Sequence, residues 1–290
     1  MISVKSSYHD TEEKDGYTRI HLSLPIEKDF HQPHLLLLPK DQGAGPFPTI
    51  IAWTSISPDY TQPEEWWGKW LAQRGYGVLI GWSFIRYYRD GKTYRDQVNE
   101  MVYERFGHWL LMAKMVHDVQ REVAYLSTRP EVDRERVGFI GFSLSAKTAL
   151  YVSAFAPEIK ATIAVDPHLA MHGDSNCHDP WYLDWRRKFK SIQTDDYPVS
   201  EWRGTIGSLL DADPKRPGFE RNHHEWLALS APRAFLLIGW SMDKTQPSHS
   251  DNPQSWGYFN CAKEVYDLLS ISDRLKFIPT DDGHQARHRS

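Results

Sequence analysis

The residues with the clearest chemical potential in this 290-residue chain surround one serine. Ser143 stands in Gly141-Phe142-Ser143-Leu144-Ser145, after the apolar run Val137-Gly-Phe-Ile140 and before Ala146-Lys-Thr-Ala-Leu150, so the pattern reads strand, sharp turn, helix. At such a turn the residues two before and two after the serine must be small, or the helix cannot pack back on the strand. Gly141 meets that demand, and Ser145 stands where a second glycine is usual. A Gly-x-Ser-x-Ser string alone is more often a helix-capping serine. The strand before it and the helix after it make Ser143 a candidate nucleophile. A serine hydroxyl attacks an acyl carbon only when a base accepts its proton, normally a histidine oriented by a carboxylate. His284, in Asp281-Asp282-Gly283-His284 after the last strand, is the candidate base, with His288 nearby as a fallback. Two aspartates compete as the acid: Asp243, just after the run Ala234 to Trp240, and Asp166, which ends Ala161 to Val165. Asp243 is favoured because its strand lies beside the one that leads to His284, whereas Asp166 sits nearer the nucleophile strand. The negative charge of a tetrahedral intermediate needs two backbone N–H donors. Leu144 supplies one, and Thr54 or Ser55, after the run Thr49 to Trp53, supplies the other.

These groups need a scaffold that gathers them, and the apolar patterning provides one. Thr18 to Leu24 and His34 to Leu38 read as an opening antiparallel pair, and Thr49 to Trp53 as a buried central strand. Pro63 starts a helix that ends near Gly75, and Gly77 to Trp82 is the next strand. A helix carries His117, Val119, Val123 and Leu126 at helical spacing and stops before Pro130. Beyond Ala161 to Val165 come a helical turn over His223 to Leu229, the strand Ala234 to Trp240, a helix near Phe259 to Leu269 and the strand Leu275 to Pro279. Strands alternating with crossover helices predict an α/β domain spanning residues 1–290, with a mostly parallel central sheet and helices on both faces. Thr54, Ser143, Asp166 and Asp243 then fall at carboxyl ends of strands, the edge where open α/β sheets build their sites. Residues 168–222 break the periodicity and are rich in Trp, Asp, Arg and Pro. That stretch is too long for a connector and reads as a lid or substrate-binding insertion. Trp181 and Trp185 within it, four apart, would share one helix face and form a platform for a sugar ring.

Composition narrows the function classes. Lys and Arg total 34 against 38 Asp and Glu, a net charge of -4, so no basic surplus is available for nucleic acid. The longest apolar runs, such as Leu35 to Leu38, fall far short of the roughly 18 residues of a membrane span. Met1 to Gly16 is polar and lacks the apolar core of a secretory signal, which predicts a cytoplasmic protein. Two cysteines, Cys177 and Cys261, exclude a disulfide framework. His223-His224 and Cys177-His178 lack a spaced third ligand and read as surface or capping histidines, so no metal and no organic cofactor is expected. Aromatics make up 13% of the chain, clustered at Trp66, Trp67 and Trp70 and again at Trp181, Tyr182 and Trp185. Such residues more often fill a core than bind a sugar.

The run Asp118-Val-Gln-Arg-Glu-Val-Ala-Tyr-Leu-Ser-Thr-Arg-Pro-Glu-Val-Asp133, followed by Arg136-Val-Gly-Phe-Ile-Gly-Phe-Ser143, resembles α/β-hydrolase esterases of the acetyl xylan esterase and dienelactone hydrolase type. Leu227-Ala-Leu-Ser-Ala-Pro-Arg233 before Phe235-Leu-Leu-Ile-Gly239 is similar to the same group. The likeness covers roughly residues 105–167 and 222–284. It implies the α/β-hydrolase fold, a nucleophile elbow at Ser143, a triad in the order serine, acid, histidine, and a serine carboxylesterase that forms an acyl-enzyme on a small-acyl or carbohydrate ester. A narrower likeness is to glucuronoyl esterases, which place an acid after the strand following the nucleophile and a lysine just beyond the elbow. Asp166 and Lys147 occupy those places, which implies a substrate contact for Lys147. The chain departs from that pattern at Leu144, where arginine is typical, at Ser145 and Ala146, and in carrying Asp at position 166. Two other readings stand beside the esterase. One is a peptidase-like serine hydrolase, against which no propeller-type repeat precedes Ser143. The other is a non-catalytic binding protein on a hydrolase fold, against which all three triad residue types are present.

Overall fold

The computed structural model describes residues 6–54, 59–84, 102–107, 110–167, 169, 223–239 and 253–280. Within them lie β1 (Ser7–Lys14), β2 (Tyr17–Glu27), β3 (Phe30–Pro39), β4 (Phe47–Trp53), a π-helical turn (Glu64–Gly68) continued by α1 (Lys69–Ala72), and β5 (Gly77–Gly81). Then follow α2 (Leu111–Leu126), β6 (Val132–Phe142), α3 (Leu144–Phe155), β7 (Ala161–Val165), α4 (His223–Leu229), β8 (Ala234–Ile238), α5 (Pro253–Leu268) and β9 (Leu275–Ile278). The strands form one sheet in the order β1-β2-β3-β5-β4-β6-β7-β8-β9. β1 to β3 and the β3–β5 pair are antiparallel, and every pair from β5 across to β9 is parallel.

Apolar side chains divide between the two faces of the sheet by the alternation of a strand. Leu36, Ile51, Leu79 and Phe139 join one core with Met115 and Val119 of α2, Ala146 and Leu150 of α3, and Phe259 and Tyr266 of α5. Leu35, Leu37, Ala52, Val78, Ile80 and Ile140 join the other, against Ala72, Trp66 and Trp67. Helices therefore cover both faces, and the central strands read as continuous apolar runs because neither face meets water. Trp66 and Trp67 belong to this packing.

β1 departs from the sequence expectation, which placed no strand before residue 18. Its side chains are almost all exposed, so it has no apolar alternation to reveal it. It is held by the backbone ladder to β2 and by surface contacts such as that of His21 Nε2 with Glu12 Oε1 at 2.8 Å. Charged side chains on an edge strand also discourage pairing with another chain.

A buried polar group ties α2 to the sheet close to the carboxyl end of β4. Trp53 Nε1 donates to both carboxylate oxygens of Glu122 at 3.0 Å, and His34 Nε2 lies 2.7 Å from Glu122 Oε1. His34 Nδ1 is 2.8 Å from the Gln32 carbonyl, which can only accept, so Nδ1 carries a hydrogen. The Nε2–Oε1 contact must then contain a proton as well, and the pair is net neutral whichever atom holds it. Burial pushes the Glu122 carboxyl up from its ordinary range, against the pull of the bonds from His34 and Trp53. Gly81 makes room for this group, since a Cβ there would lie 2.0 Å from Glu122 Oε1. Glu122→Ala leaves the buried Trp53 indole N–H without an acceptor and His34 Nε2 without its partner, and is expected to lower the unfolding free energy by about 3–5 kcal/mol, read as the midpoint of a urea titration. Glu122→Gln, which keeps one acceptor oxygen, should lose less.

Candidate active site

β6 ends at Phe142, and α3 begins at Leu144 with Ser143 as its N-cap. Ser143 has φ 57° and ψ −113°, a left-handed conformation that costs a non-glycine residue about 1–3 kcal/mol. Its surroundings impose it. The Ser143 N–H donates to the Val165 carbonyl at 3.0 Å, and the Ser143 carbonyl accepts from the Lys147 N–H at 3.0 Å, closing the first turn of α3. Residue 141 must be glycine, because a Cβ there would lie 2.1 Å from the Ser145 carbonyl oxygen and 2.9 Å from the Ala146 nitrogen. Phe142 is buried edge-to-face against Trp66, with centroids 5.5 Å apart. Ser143 itself is half-exposed at the head of a helix whose next residues are buried.

Four other sequence-identified residues gather around this elbow. Leu144 is the first residue of α3, so its N–H has no partner within the helix by position and points out of the helix N-terminus. Thr54 follows β4, the neighbour of β6 in the register Trp53↔Gly141, and is buried. Asp166 follows β7, whose register with β6 is Phe142↔Val165, so it leaves the sheet beside Ser143. Asp166 is 1% exposed, has φ 55°, and its N–H donates to the Ile238 carbonyl at 2.7 Å. Lys147 is buried on α3 one turn beyond Ser143. On the same edge the Gly239 N–H donates to the Ile278 carbonyl at 3.1 Å where β8 and β9 end. Asp243, His284, Ser55, Trp181, Trp185 and the fallback His288 lie outside the described residues.

Some of the polar architecture has no counterpart in the sequence expectations. The Ser145 hydroxyl donates to the Thr54 carbonyl, joining the elbow helix to the chain that leaves β4. The one sequence signal of this contact is a serine in place of the second glycine. His223, expected at the surface or as a cap, is buried instead. Its Nδ1–H donates to the Leu169 carbonyl at 2.9 Å, which leaves Nε2 to accept from the Tyr151 hydroxyl at 3.3 Å. Packing of α4 against Tyr151 of α3 draws it inward, with ring centroids 5.6 Å apart. The cluster Glu27, His117 and Asp118, whose ligand atoms lie within 4.8 Å of one another, already contains a cation. Lys114 Nζ donates to Asp118 Oδ1 and lies 3.1 Å from Glu27 Oε1, so this is an ion-pair network rather than a metal site.

An open, mostly parallel sheet with helices on both faces and a strained serine between β6 and α3 defines the α/β-hydrolase fold. The comparisons with known proteins agree. The sequence profile of the dienelactone hydrolase family matches residues 39–179, just under half of the chain. A glucuronoyl esterase from Solibacter usitatus superposes with a TM-score of 0.68 at 15% identity, over 99% of this chain and 83% of that one. A protein assigned as an acetyl xylan esterase from Bacteroides fragilis superposes with a TM-score of 0.62 at 16% identity, over 98% of this chain and 72% of that one. The thiohydrolase apmlB of Arthrinium phaeospermum is 38% identical over 55 residues, which is 19% of this chain and 18% of that protein. At these identities the structural likeness is one of fold. Among the described residues no helix is long and apolar enough to cross a membrane.

The packing at the elbow leaves no space for a side chain at residue 141, and the obstructing atoms are backbone. Gly141→Ala is expected to cost about 3 kcal/mol or more, seen as a fall in thermal midpoint accompanied by loss of any activity that depends on Ser143.

Proposed function

We propose that the protein is a serine ester hydrolase that works through an acyl-enzyme, with a small-acyl or carbohydrate ester as substrate. The observation that carries this reading is the conformation of Ser143. A half-exposed serine at φ 57° on the carboxyl edge of the sheet, at the head of a buried helix, is costly for stability and suited to a nucleophile. In the proposed cycle Ser143 Oγ adds to the acyl carbon while His284 takes its proton. The carbonyl oxygen becomes an oxyanion that accepts from the Leu144 N–H and from the N–H of Thr54 or Ser55. Collapse breaks the acyl–oxygen bond, and His284 returns the proton to the departing alcohol. Water then attacks the acyl-enzyme by the same route, releasing the acid and restoring Ser143.

The glucuronoyl and acetyl xylan esterases among the structural neighbours support a carboxylic ester with a carbohydrate part, on the acyl side in the first and on the alcohol side in the second. On this reading residues 168–222 form the substrate-binding insertion, with Trp181 and Trp185 against a sugar ring and Lys147 near the substrate. The proposed acid is Asp243, after β8, with Asp166 as the competing carboxylate beside the nucleophile strand.

Ser143→Ala is expected to abolish hydrolysis of p-nitrophenyl acetate without changing the fold, and a fluorophosphonate should label Ser143 alone by peptide mass spectrometry. Undiminished turnover in the variant, or label on another serine such as Ser145, would sink the mechanism. A binding protein without catalysis would show neither turnover nor labelling. For the acid, kcat of Asp243→Asn should fall roughly 10⁴-fold, since the histidine loses its orienting partner. Asp166→Asn should fall only about tenfold, through weakened support of the groups around it. The reverse order would assign the acid to Asp166.

A further inference from the structure

Ser145 is fully buried, and a buried hydroxyl must find an acceptor. Two other buried hydroxyls on α3 have an acceptor in their own helix, Thr148 Oγ1 in the Leu144 carbonyl at 3.2 Å, with Met115 Sδ at 3.1 Å beside it, and Ser153 Oγ in the Leu150 carbonyl at 2.8 Å. Ser145 differs because it lies in the first turn, where the preceding backbone is strand and turn rather than helix. Its hydroxyl reaches across to the Thr54 carbonyl, 91 residues away in sequence. A hydrogen bond to a carbonyl is directional, so it restrains the backbone of the residue that carries it. The bond therefore sets how the backbone departs from β4, one strand away from the nucleophile strand. The residue just before is fixed from another direction, since the Trp53 indole donates to Glu122 of α2. A glycine at position 145 would satisfy the steric demand of the elbow but lack the bond to the Thr54 carbonyl.

Resting on the serine-hydrolase reading above, we infer that Ser145 is a positioning residue: its hydroxyl orients the backbone leaving β4 so that the donor there meets the oxyanion formed on Ser143. The same side chain replaces a spacer in the elbow and links the nucleophile's helix to the opposite wall of the oxyanion site. A displacement of about 1 Å in such a donor can cost about 100-fold in rate.

The test uses the full chain, p-nitrophenyl acetate and a fluorophosphonate. In Ser145→Ala, kcat is expected to fall by about 10- to 100-fold with KM changed less than about twofold, and labelling of Ser143 should slow by the same factor. Ser145→Gly, equally small and lacking the hydroxyl, should behave alike and serves should the alanine variant fold poorly. Ser145→Cys, with a weak S–H donor of similar size, should fall between these and the parent. A purely structural role would lower the thermal midpoint and leave kcat and the labelling rate of the folded fraction unchanged, which would overturn the inference. So would equal rates in all variants. If the parent protein is not labelled on Ser143 at all, the serine-hydrolase reading fails and this inference goes with it. A parent labelled at a rate that Ser145→Ala does not alter defeats the inference alone.

Discussion

Ser143 is held in a backbone conformation that an isolated chain would avoid, and much of the surrounding order can be understood as what enforces it. The cost of roughly 1–3 kcal/mol is a sizeable part of the net stability of a typical domain. It is offset by contacts that must all be present together. β7 lies beside β6 and supplies the Val165 carbonyl to the Ser143 N–H, α3 begins at once and engages the Ser143 carbonyl, and the bare Gly141 lets that helix lie against the strand. Each contact depends on strand order. Were β7 not the neighbour of β6 in the register Phe142↔Val165, the turn would lose its cross-strand acceptor and could relax. Position and strain thus have one origin, since the sheet that carries the serine to its edge also prevents it from unwinding.

The polar groups sunk beneath that edge follow a related logic. An apolar core would be cheaper to build than one containing Glu122, His34, the Trp53 indole and the Ser145 hydroxyl, because each must be stripped of water and then satisfied. Their partners converge on Trp53 and Thr54, where β4 gives way to the connection beyond it. Apolar packing is tolerant of small shifts, whereas a hydrogen bond has a direction. Two directional bonds on consecutive residues, one to a side chain and one to a carbonyl, fix the backbone there more closely than close packing would. The neutral His34–Glu122 pair achieves this without leaving a net charge in the core.

What the sequence shows of this arrangement is governed by range. Thr49 to Trp53, Gly77 to Trp82 and Ala161 to Val165 are legible because strands covered on both faces carry unbroken apolar runs, and the elbow is legible because its steric rule acts within five residues. β1 is not, since an exposed edge strand held by its backbone ladder and polar side chains leaves no hydrophobic trace. The bonds Trp53–Glu122, His34–Glu122 and Ser145–Thr54 span 69, 88 and 91 residues, and apart from the serine at position 145 in place of a second glycine no local pattern marks either end. His223 misleads for a similar reason: a histidine beside another histidine at the start of a short helix reads as polar surface until Tyr151 and Leu169 close over it. Of the proposed site, the candidate nucleophile Ser143 and the Leu144 N–H follow from local rules, while the bond from Ser145 to the chain leaving β4 depends on tertiary packing.

The His223–Leu169 contact also separates two tasks that share one chain. The residues on either side of the long insertion meet within 2.9 Å, so from the sheet's side the intervening stretch begins and ends at nearly one point. Closing a loop at fixed ends costs free energy that grows only with the logarithm of its length, and each doubling adds only about 0.6 kcal/mol. Length and composition there can therefore change with little consequence for the strands, the elbow or the strain at Ser143. The register between β6, β7 and β8 has no such freedom, because Ser143 and Asp166 both hang their backbone N–H groups on carbonyls of the next strand, Val165 and Ile238. A fold arranged in this way can keep its sheet registers while the segment between β7 and β8 changes in sequence. That separation explains how the described fold can be shared at 15–16% identity, since the sheet registers and the elbow demand particular contacts at few positions and leave the rest of the sequence open to change.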